Sequence, residues 1–226
     1  MKLNLEGKVV LVSGGSSGIG KAIATDFARE GASVMITARR IGPLHDTVKE
    51  LEALGGRASY FSADMTRESD VLAAVDRTKD VFGIIPEVVV CNVRSLIKFG
   101  FDDTTTEDFR TSSEQCVLSV VHLAKAVLPT WKKTQRAIGL IDTGTSEKII
   151  NDADKESRAQ AEPQPQISMK RPGRPEEVAA QVVFLASDRA SYVRTIHITL
   201  ICNVVLTSLK VTGQNIVVDG GWTRGI

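Results

Sequence analysis

The feature that most constrains the fold is a run of four aliphatic residues, 9–12, that leads into a glycine-rich turn. Such a run is typical of a strand buried in a parallel sheet. Gly14, Gly18 and Gly20 follow in the spacing G-x-x-x-G-x-G, and residues 18–30 have the apolar spacing of a helix. Strand, glycine turn and helix together direct backbone N–H groups at a pyrophosphate. By itself, the turn is equally well explained as a glycine loop that binds no ligand.

The rest of the first half alternates short apolar runs with helical patterns, as a doubly wound parallel sheet requires. Strands are expected at residues 33–37, 58–62 and 87–91, and helices at residues 44–54, 67–82 and 107–128. We expect the helix at 67–82 to bury Val71, Leu72, Val75 and Val81, and the helix at 107–128 to end at Pro129. A further helix, opened by Pro175, is expected to bury Val178, Val182, Val183, Phe184 and Leu185. The fold class is therefore α/β: a Rossmann-like doubly wound parallel sheet with helices on both faces, in a single domain over residues 1–226.

Composition excludes several classes of partner. The 226 residues include 28 basic and 27 acidic ones, a net charge of +1, which favours neither nucleic acid nor an anionic membrane as a partner. Cys91, Cys116 and Cys202 lie far apart and follow no metal-ligand spacing, so we expect small buried thiols and no metal site. The first residues contain no apolar signal core, and a cytoplasmic protein is expected.

The residues after the second strand bear on the choice of cofactor. Sites that bind NAD usually carry an acid at this point to hold the ribose hydroxyls. Here the sequence runs Thr37-Ala38-Arg39-Arg40, with no acid before Asp46. A guanidinium can hold a 2′-phosphate that a carboxylate would repel, so NADP(H) is favoured over NAD(H). The alternative is that both arginines are simply solvated.

Several further matches give the chain a family resemblance. Besides the glycine spacing, it has Asp64 after the third strand, Asn92 after the fourth, the segment Gly-Arg-Pro-Glu-Glu-Val-Ala at 173–179, and a seventh strand with its turn at 213–221. In these features it resembles the short-chain dehydrogenase/reductase family. The resemblance implies hydride transfer between a nicotinamide cofactor and a small carbonyl compound or secondary alcohol.

Together with the two arginines, the resemblance gives a candidate cofactor site. It comprises Gly14, Ser16, Ser17, Gly18, Ile19, Gly20, Arg39, Arg40, Asp64, Met65, Asn92, Ile141 and Thr143. In the family, the Asp64 position bonds adenine, and the Asn92 position braces the sheet beside the cofactor. The Ile141 and Thr143 positions correspond to the segment just after the family's sixth strand, which contacts the carboxamide. The alternative for Asp64 is an acid at the N-terminus of the helix at 67–82.

The catalytic residues of the family have no counterparts here. The family's mid-helix catalytic Asn falls on Cys116, and a thiol cannot replace an amide that both donates and accepts. The family's catalytic Ser and its Tyr-x-x-x-Lys helix belong after Pro129, but the two tyrosines, Tyr60 and Tyr192, are followed four residues later by Asp64 and Ile196. No catalytic residue is therefore assigned, and activity is expected to be impaired.

Two departures from the family pattern accompany this loss. The fifth strand, the Tyr-x-x-x-Lys helix and the sixth strand are missing after Pro129, and residues 194–210 form a β-prone apolar insertion. One hypothesis is an aberrantly spliced or mispredicted product. Another is that residues 137–141 and parts of 195–209 serve as substitute strands between strand four and strand seven.

Two functional alternatives to an impaired enzyme or an aberrant product follow from the same residues. Without its catalytic groups, the chain could act as a non-catalytic module that binds a dinucleotide or a partner protein.

The resemblance also bears on the oligomeric state. The family's usual homo-oligomer packs its fourth and fifth helices against their symmetry mates. With the fifth helix missing, that interface is incomplete.

Overall fold

The structure, a computed structural model, describes residues 3–92, 104–134, 139–142, 174–190, 196–199 and 214–217. Its centre is a five-stranded parallel sheet in the order β3-β2-β1-β4-β5. The strands are β1 (Val9–Ser13), β2 (Ser33–Ala38), β3 (Arg57–Ser62), β4 (Val88–Cys91) and β5 (Gly139–Asp142). The expected Rossmann-like sheet is thus confirmed, and the four strand predictions of the first half agree with it to within one residue at each end.

Helices connect and cover these strands. They are α1 (Gly18–Arg29), α2 (Ile41–Ala53), α3 (Glu68–Phe82), α4 (Thr106–Ser113), α5 (Ser119–Thr134) and α6 (Pro175–Leu185). A π-helical turn, Glu114–Leu118, joins α4 to α5, so the single helix expected at 107–128 is a helix interrupted near its middle. Within the described residues, no helix has the length and apolar character needed to cross a bilayer.

The central strands are buried because both faces of the sheet are covered. Val10 and Val12 of β1 pack in one apolar cluster, together with side chains of α1, α2 and α6. Leu11, between them, packs in the other cluster, with side chains of α3 and α5. Successive side chains of a strand point to opposite faces, so a strand covered on both sides is apolar at most positions.

Two expected core positions are exposed. Leu72 of α3 is 48% exposed, whereas Val71 beside it is fully buried. The buried stripe of α3 contains the small residue Ala74 and the hydroxyl-bearing Thr78, and Leu72 falls on its flank. Phe184 of α6 is likewise 37% exposed. Both predictions were wrong because they relied on the apolar character of the residue. The position of a residue around the helix decides whether it lies on the buried face.

The prediction that the helix ends at Pro129 was also wrong. α5 continues to Thr134 with Pro129 inside it. Proline removes one helical N–H, but Pro129 is exposed, where water can satisfy the carbonyl that loses its donor. Two residues later, Trp131 is 5% exposed, and its indole N–H donates to the carbonyl oxygen of Pro86 at 2.8 Å. This anchor holds the last turn against the sheet.

The second half of the chain supplies substitute strands. β5 pairs with β4 in parallel, from Val88 opposite Gly139 to Cys91 opposite Asp142. β6 (Ile196–Thr199), from the apparent insertion, pairs in parallel with β7 (Gln214–Val217) in a separate two-stranded sheet. Part of the insertion is therefore strand, as expected. It pairs with β7 and lies in contact with β5, and within the described residues no strand pairing joins it to β5.

Candidate functional site

The candidate cofactor residues gather at one edge of the main sheet. All five strands are parallel, so their carboxyl ends meet at this edge. Most of the candidates lie in the segments that immediately follow β1, β2, β3 and β4. In open α/β sheets, ligands bind in the crevice outside these carboxyl ends.

Asn92 ties the glycine turn to the end of β4. Its side-chain amide donates to the carbonyl oxygen of Gly14 at 3.4 Å, and its backbone N–H donates to Ser13 Oγ at 2.8 Å. A Cβ on Gly14 would lie 2.7 Å from the Asn92 amide nitrogen, and a Cβ on Gly20 would lie 2.8 Å from the carbonyl carbon of Gly14. These glycines are required because the turn, α1 and Asn92 approach one another closely.

The N-terminus of α1 faces this turn with its backbone donors uncapped by a side chain. Ser17 is the N-cap residue, in an extended conformation, and its hydroxyl caps no backbone N–H. Gly18 has φ of +54°, and no atom lies within 4 Å of where its Cβ would be. The carbonyl of Ser16 accepts from Thr47 Oγ1 at 3.5 Å. Ile19 is 5% exposed and offers only its backbone N–H. Open N–H groups at a positive helix end fit the pyrophosphate of a dinucleotide.

Arg39 and Arg40 directly follow β2, as the sequence predicts. Both are exposed, and neither takes part in an ion pair within the described part of the chain. The carbonyl of Arg39 accepts from Ser62 Oγ at 3.1 Å, and Arg40 is the N-cap residue of α2. The backbone is thus held while both guanidinium groups stay in solvent.

Asp64 and Met65 lie in the loop between β3 and α3. Asp64 Oδ1 accepts from the backbone N–H of Thr66 at 3.1 Å and from its hydroxyl at 2.8 Å. Met65 is 7% exposed, and its sulfur accepts from Thr37 Oγ1 at 3.5 Å. Asp64 lies ahead of α3, whose own first-turn acids are Glu68 and Asp70, so a role as an acid ahead of this helix stays an alternative to adenine binding.

The position that corresponds to the family's catalytic Asn lies in the π-helical turn. Cys116 is half-buried there, next to Gln115, whose buried Oε1 has no hydrogen-bond partner within the described residues. One turn on, Ser119 Oγ lies 3.5 Å from Cys91 Sγ. Cys91 is 1% exposed, which confirms the expected small buried thiol. Cys202 lies outside the described residues.

The remaining site predictions fall on or beyond β5. Ile141 is opposite Val90 in the register of β4 and β5, so its segment occupies the place of a fifth strand. The resemblance had placed this segment after a sixth strand. Thr143 lies outside the described residues, as does Tyr192. Tyr60 packs against the cluster on the α2 face, with its ring edge-on to His45 at 6.3 Å between centroids.

A comparison with known sequences identifies the family. The sequence profile of the family described as short chain dehydrogenase matches residues 8–146. The chain belongs to this family. The match ends shortly after β5.

Individual relatives match the chain over different lengths. An A-factor type γ-butyrolactone 1′-reductase from Streptomyces virginiae is 49% identical over 79 residues, which are 35% of this chain and 31% of the relative. Among solved structures, L-sorbose reductase from Gluconobacter frateurii, complexed with NADPH and L-sorbose, superposes with a TM-score of 0.76. It is 23% identical, and the match covers 100% of both chains. A 7α-hydroxysteroid dehydrogenase complexed with NADH and 7-oxo glycochenodeoxycholic acid superposes with a TM-score of 0.72, at 23% identity, covering 97% of this chain and 96% of that one.

The profile match establishes the family, and the solved structures establish the fold. The chain matches only about three tenths of the length of several of its curated relatives. One structural neighbour holds NADH and another holds NADPH, so the fold alone does not select between the two cofactors.

Two contributors to the site were missed in the sequence. Ser13 Oγ accepts a hydrogen bond from the backbone N–H of Asn92, and Asp70 Oδ2 accepts one from the backbone N–H of Asp64. Ser13 could have been found as a polar residue that ends an apolar strand directly before the glycine turn. Asp70 carried no distinct signal, because an acid in the first turn of a helix is ordinary.

Proposed function

We propose that the chain binds NADP(H) at the carboxyl edge of its sheet and acts as a short-chain oxidoreductase on a carbonyl compound or secondary alcohol, with strongly reduced turnover. The observation that carries this proposal is the uncapped first turn of α1 beside the glycines that Asn92 holds in place. The pyrophosphate would lie on these backbone donors, and Asp64 would receive the adenine amino group. The bound cofactor supplies the hydride.

Preference for NADP(H) rests on the two exposed guanidinium groups at the end of β2. Arg39 and Arg40 occupy the place where an acid would hold the ribose hydroxyls of NAD, and they are available to a 2′-phosphate. No carboxylate intervenes along the chain before Asp46.

Reduced turnover follows from the missing acid–base pair. The sequence contains no Tyr-x-x-x-Lys, and general acid–base help typically contributes about 10²- to 10⁴-fold to a rate. NADPH oxidation with a panel of carbonyl compounds measures what remains. The proposal predicts a slow but carbonyl-dependent rate. A complete absence of such a rate, with NADPH binding intact, would instead identify a non-catalytic binding module.

Removing Arg39 tests the cofactor preference. In the Arg39→Ala chain we expect the dissociation constant for NADPH to rise about tenfold, because a charge-assisted contact to the 2′-phosphate is lost, while that for NADH stays unchanged. Titration calorimetry with both nucleotides measures the two constants. The matched control is Arg29→Ala, since Arg29 pairs with Asp26 at the far end of α1. If the binding of NADPH and of NADH weakened equally, a role for Arg39 in binding the 2′-phosphate would be contradicted.

A further inference from the structure

The first turn of α3 holds the loop that carries Asp64. Asp70 Oδ2 accepts the backbone N–H of Asp64 at 3.0 Å. Its other oxygen, Oδ1, accepts from Ser69 Oγ at 3.2 Å and lies 3.9 Å from Arg67 Nε. The carboxylate of Asp70 therefore reaches back past the N-cap residue of α3, Arg67, and fixes the chain where β3 passes into the loop.

The same loop is closed by Asp64 itself. Its carbonyl accepts the backbone N–H of Arg67 at 3.0 Å, and its Oδ1 accepts both donors of Thr66. Oδ2 takes no part in these bonds. With the backbone N–H held by Asp70 and Oδ1 held by Thr66, the direction in which Oδ2 faces is set by its neighbours.

We propose that Asp70 is a positioning residue that aims the Asp64 carboxylate at the amino group of an adenine base and so sets the base preference of the cofactor site. The inference rests on the proposed function, since it requires that a dinucleotide binds here. Adenine presents a 6-amino donor to a carboxylate, whereas hypoxanthine presents a carbonyl oxygen at the same place. A correctly aimed carboxylate thus accepts from adenine and repels hypoxanthine.

Asp70 is suited to this role because it stays charged. The backbone N–H of Asp64, with smaller contributions from Ser69 and Arg67, holds the pKa of Asp70 below its ordinary value. A carboxylate accepts a stronger hydrogen bond from a backbone N–H than a neutral group does.

The test compares NADPH with reduced nicotinamide hypoxanthine dinucleotide phosphate, which differs only at the base. Dissociation constants are measured on the full chain by titration calorimetry. Each variant is described by one ratio, the dissociation constant for the hypoxanthine dinucleotide divided by that for NADPH. We expect the unaltered chain to prefer adenine about tenfold, as for one hydrogen bond to a charged group. Asp70→Ala should reduce this ratio at least threefold, and Asp64→Ala should abolish it.

Two variants separate positioning from loss of stability. Asp70→Asn keeps an oxygen that can accept the Asp64 N–H, so it should retain the base preference. Asp76→Ala removes an exposed acid from the same helix and should also retain it. If Asp70→Ala does not fold, Asp70→Glu, which displaces the carboxylate by one methylene, provides the same comparison.

The outcomes distinguish this inference from the proposed function. If the unaltered chain prefers adenine and Asp70→Ala keeps the full preference while only its melting temperature falls, the positioning role is overturned and the proposed function stands. The same holds if both nucleotides bind equally to the unaltered chain. If neither nucleotide binds, both the proposed function and the positioning role are overturned.

Discussion

At the scale of single residues, the glycine turn is shaped by a close approach of three segments. Gly20 of α1 lies against the carbonyl of Gly14, and the Asn92 side chain reaches both from the end of β4. No side chain fits at Gly20 without moving one of these groups. By contrast, Gly42 near the start of α2 has no atom within 4 Å of its Cβ position.

This contrast predicts opposite effects of the same substitution. Gly20→Ala should lower the free energy of unfolding by about 1–3 kcal/mol, because the added methyl group is forced into the turn. Gly42→Ala should raise it by up to about 1 kcal/mol, because alanine is favoured in a helix and meets nothing. Urea unfolding followed by circular dichroism measures both. A Gly20→Ala chain as stable as the unaltered one would show that the turn has room for a side chain.

The sequence alone indicated which glycines matter but not what they touch. The spacing of Gly14, Gly18 and Gly20 could be read directly, since it follows from strand, turn and helix in succession. The bond from Asn92 to Gly14 joins residues 78 positions apart, and no local pattern reports such a contact. Asp70 was missed for a different reason. An acid in the first turn of a helix is common, so its position gave no sign of the hydrogen bond to Asp64.

At the scale of elements, α5 shows tertiary packing overriding a local signal. Pro129 should end a helix, yet the helix continues because Trp131 is buried against the start of β4 and bonded to Pro86. β5 is a similar case, since its neighbour β4 is nearly 50 residues away in the chain and only the assembled sheet defines its place. The other helices of the first half were predictable because their apolar periodicity is local.

Trp131 provides the test at this scale. Trp131→Phe removes the indole donor and leaves the Pro86 carbonyl without it, so the free energy of unfolding should fall by about 1–3 kcal/mol. Leu72→Ala, at an exposed position of α3, should change it by about 0.5 kcal/mol or less. Both values come from urea titration. Equal effects of the two substitutions would mean that the last turn of α5 is not anchored by Trp131.

At the scale of the whole molecule, two apolar clusters lie on opposite faces of one sheet. α1 and α6 cover one face, and α3 and α5 cover the other. The strands between them contribute side chains to both clusters, so a disturbance on one face should be transmitted to the other. Ala179 and Ala180 of α6 allow this to be tested, because Ala179 is fully buried and Ala180 is exposed.

We expect Ala179→Leu to destabilise both faces together. Overpacking the contact of α6 should cost about 1–3 kcal/mol and lower the melting temperature by about 2–4 °C for each kcal/mol. Ala180→Leu, the control, should leave the melting temperature unchanged. Trp131 fluorescence, measured in a Trp222→Phe background, reports the opposite face, and circular dichroism reports the whole chain. A fall seen by circular dichroism but not by Trp131 would mean that the two faces unfold separately.

The packing of α6 on α1 also has a consequence for how the protein is made. The glycine turn is synthesised before α6, but the helix that follows this turn is covered by residues 175–185. A ribosome that has synthesised only the first half has therefore released β1 and α1 with one apolar side of α1 still uncovered. We expect a nascent chain to bind nucleotide only after α6 has emerged from the ribosome, long after the glycine turn itself has been synthesised.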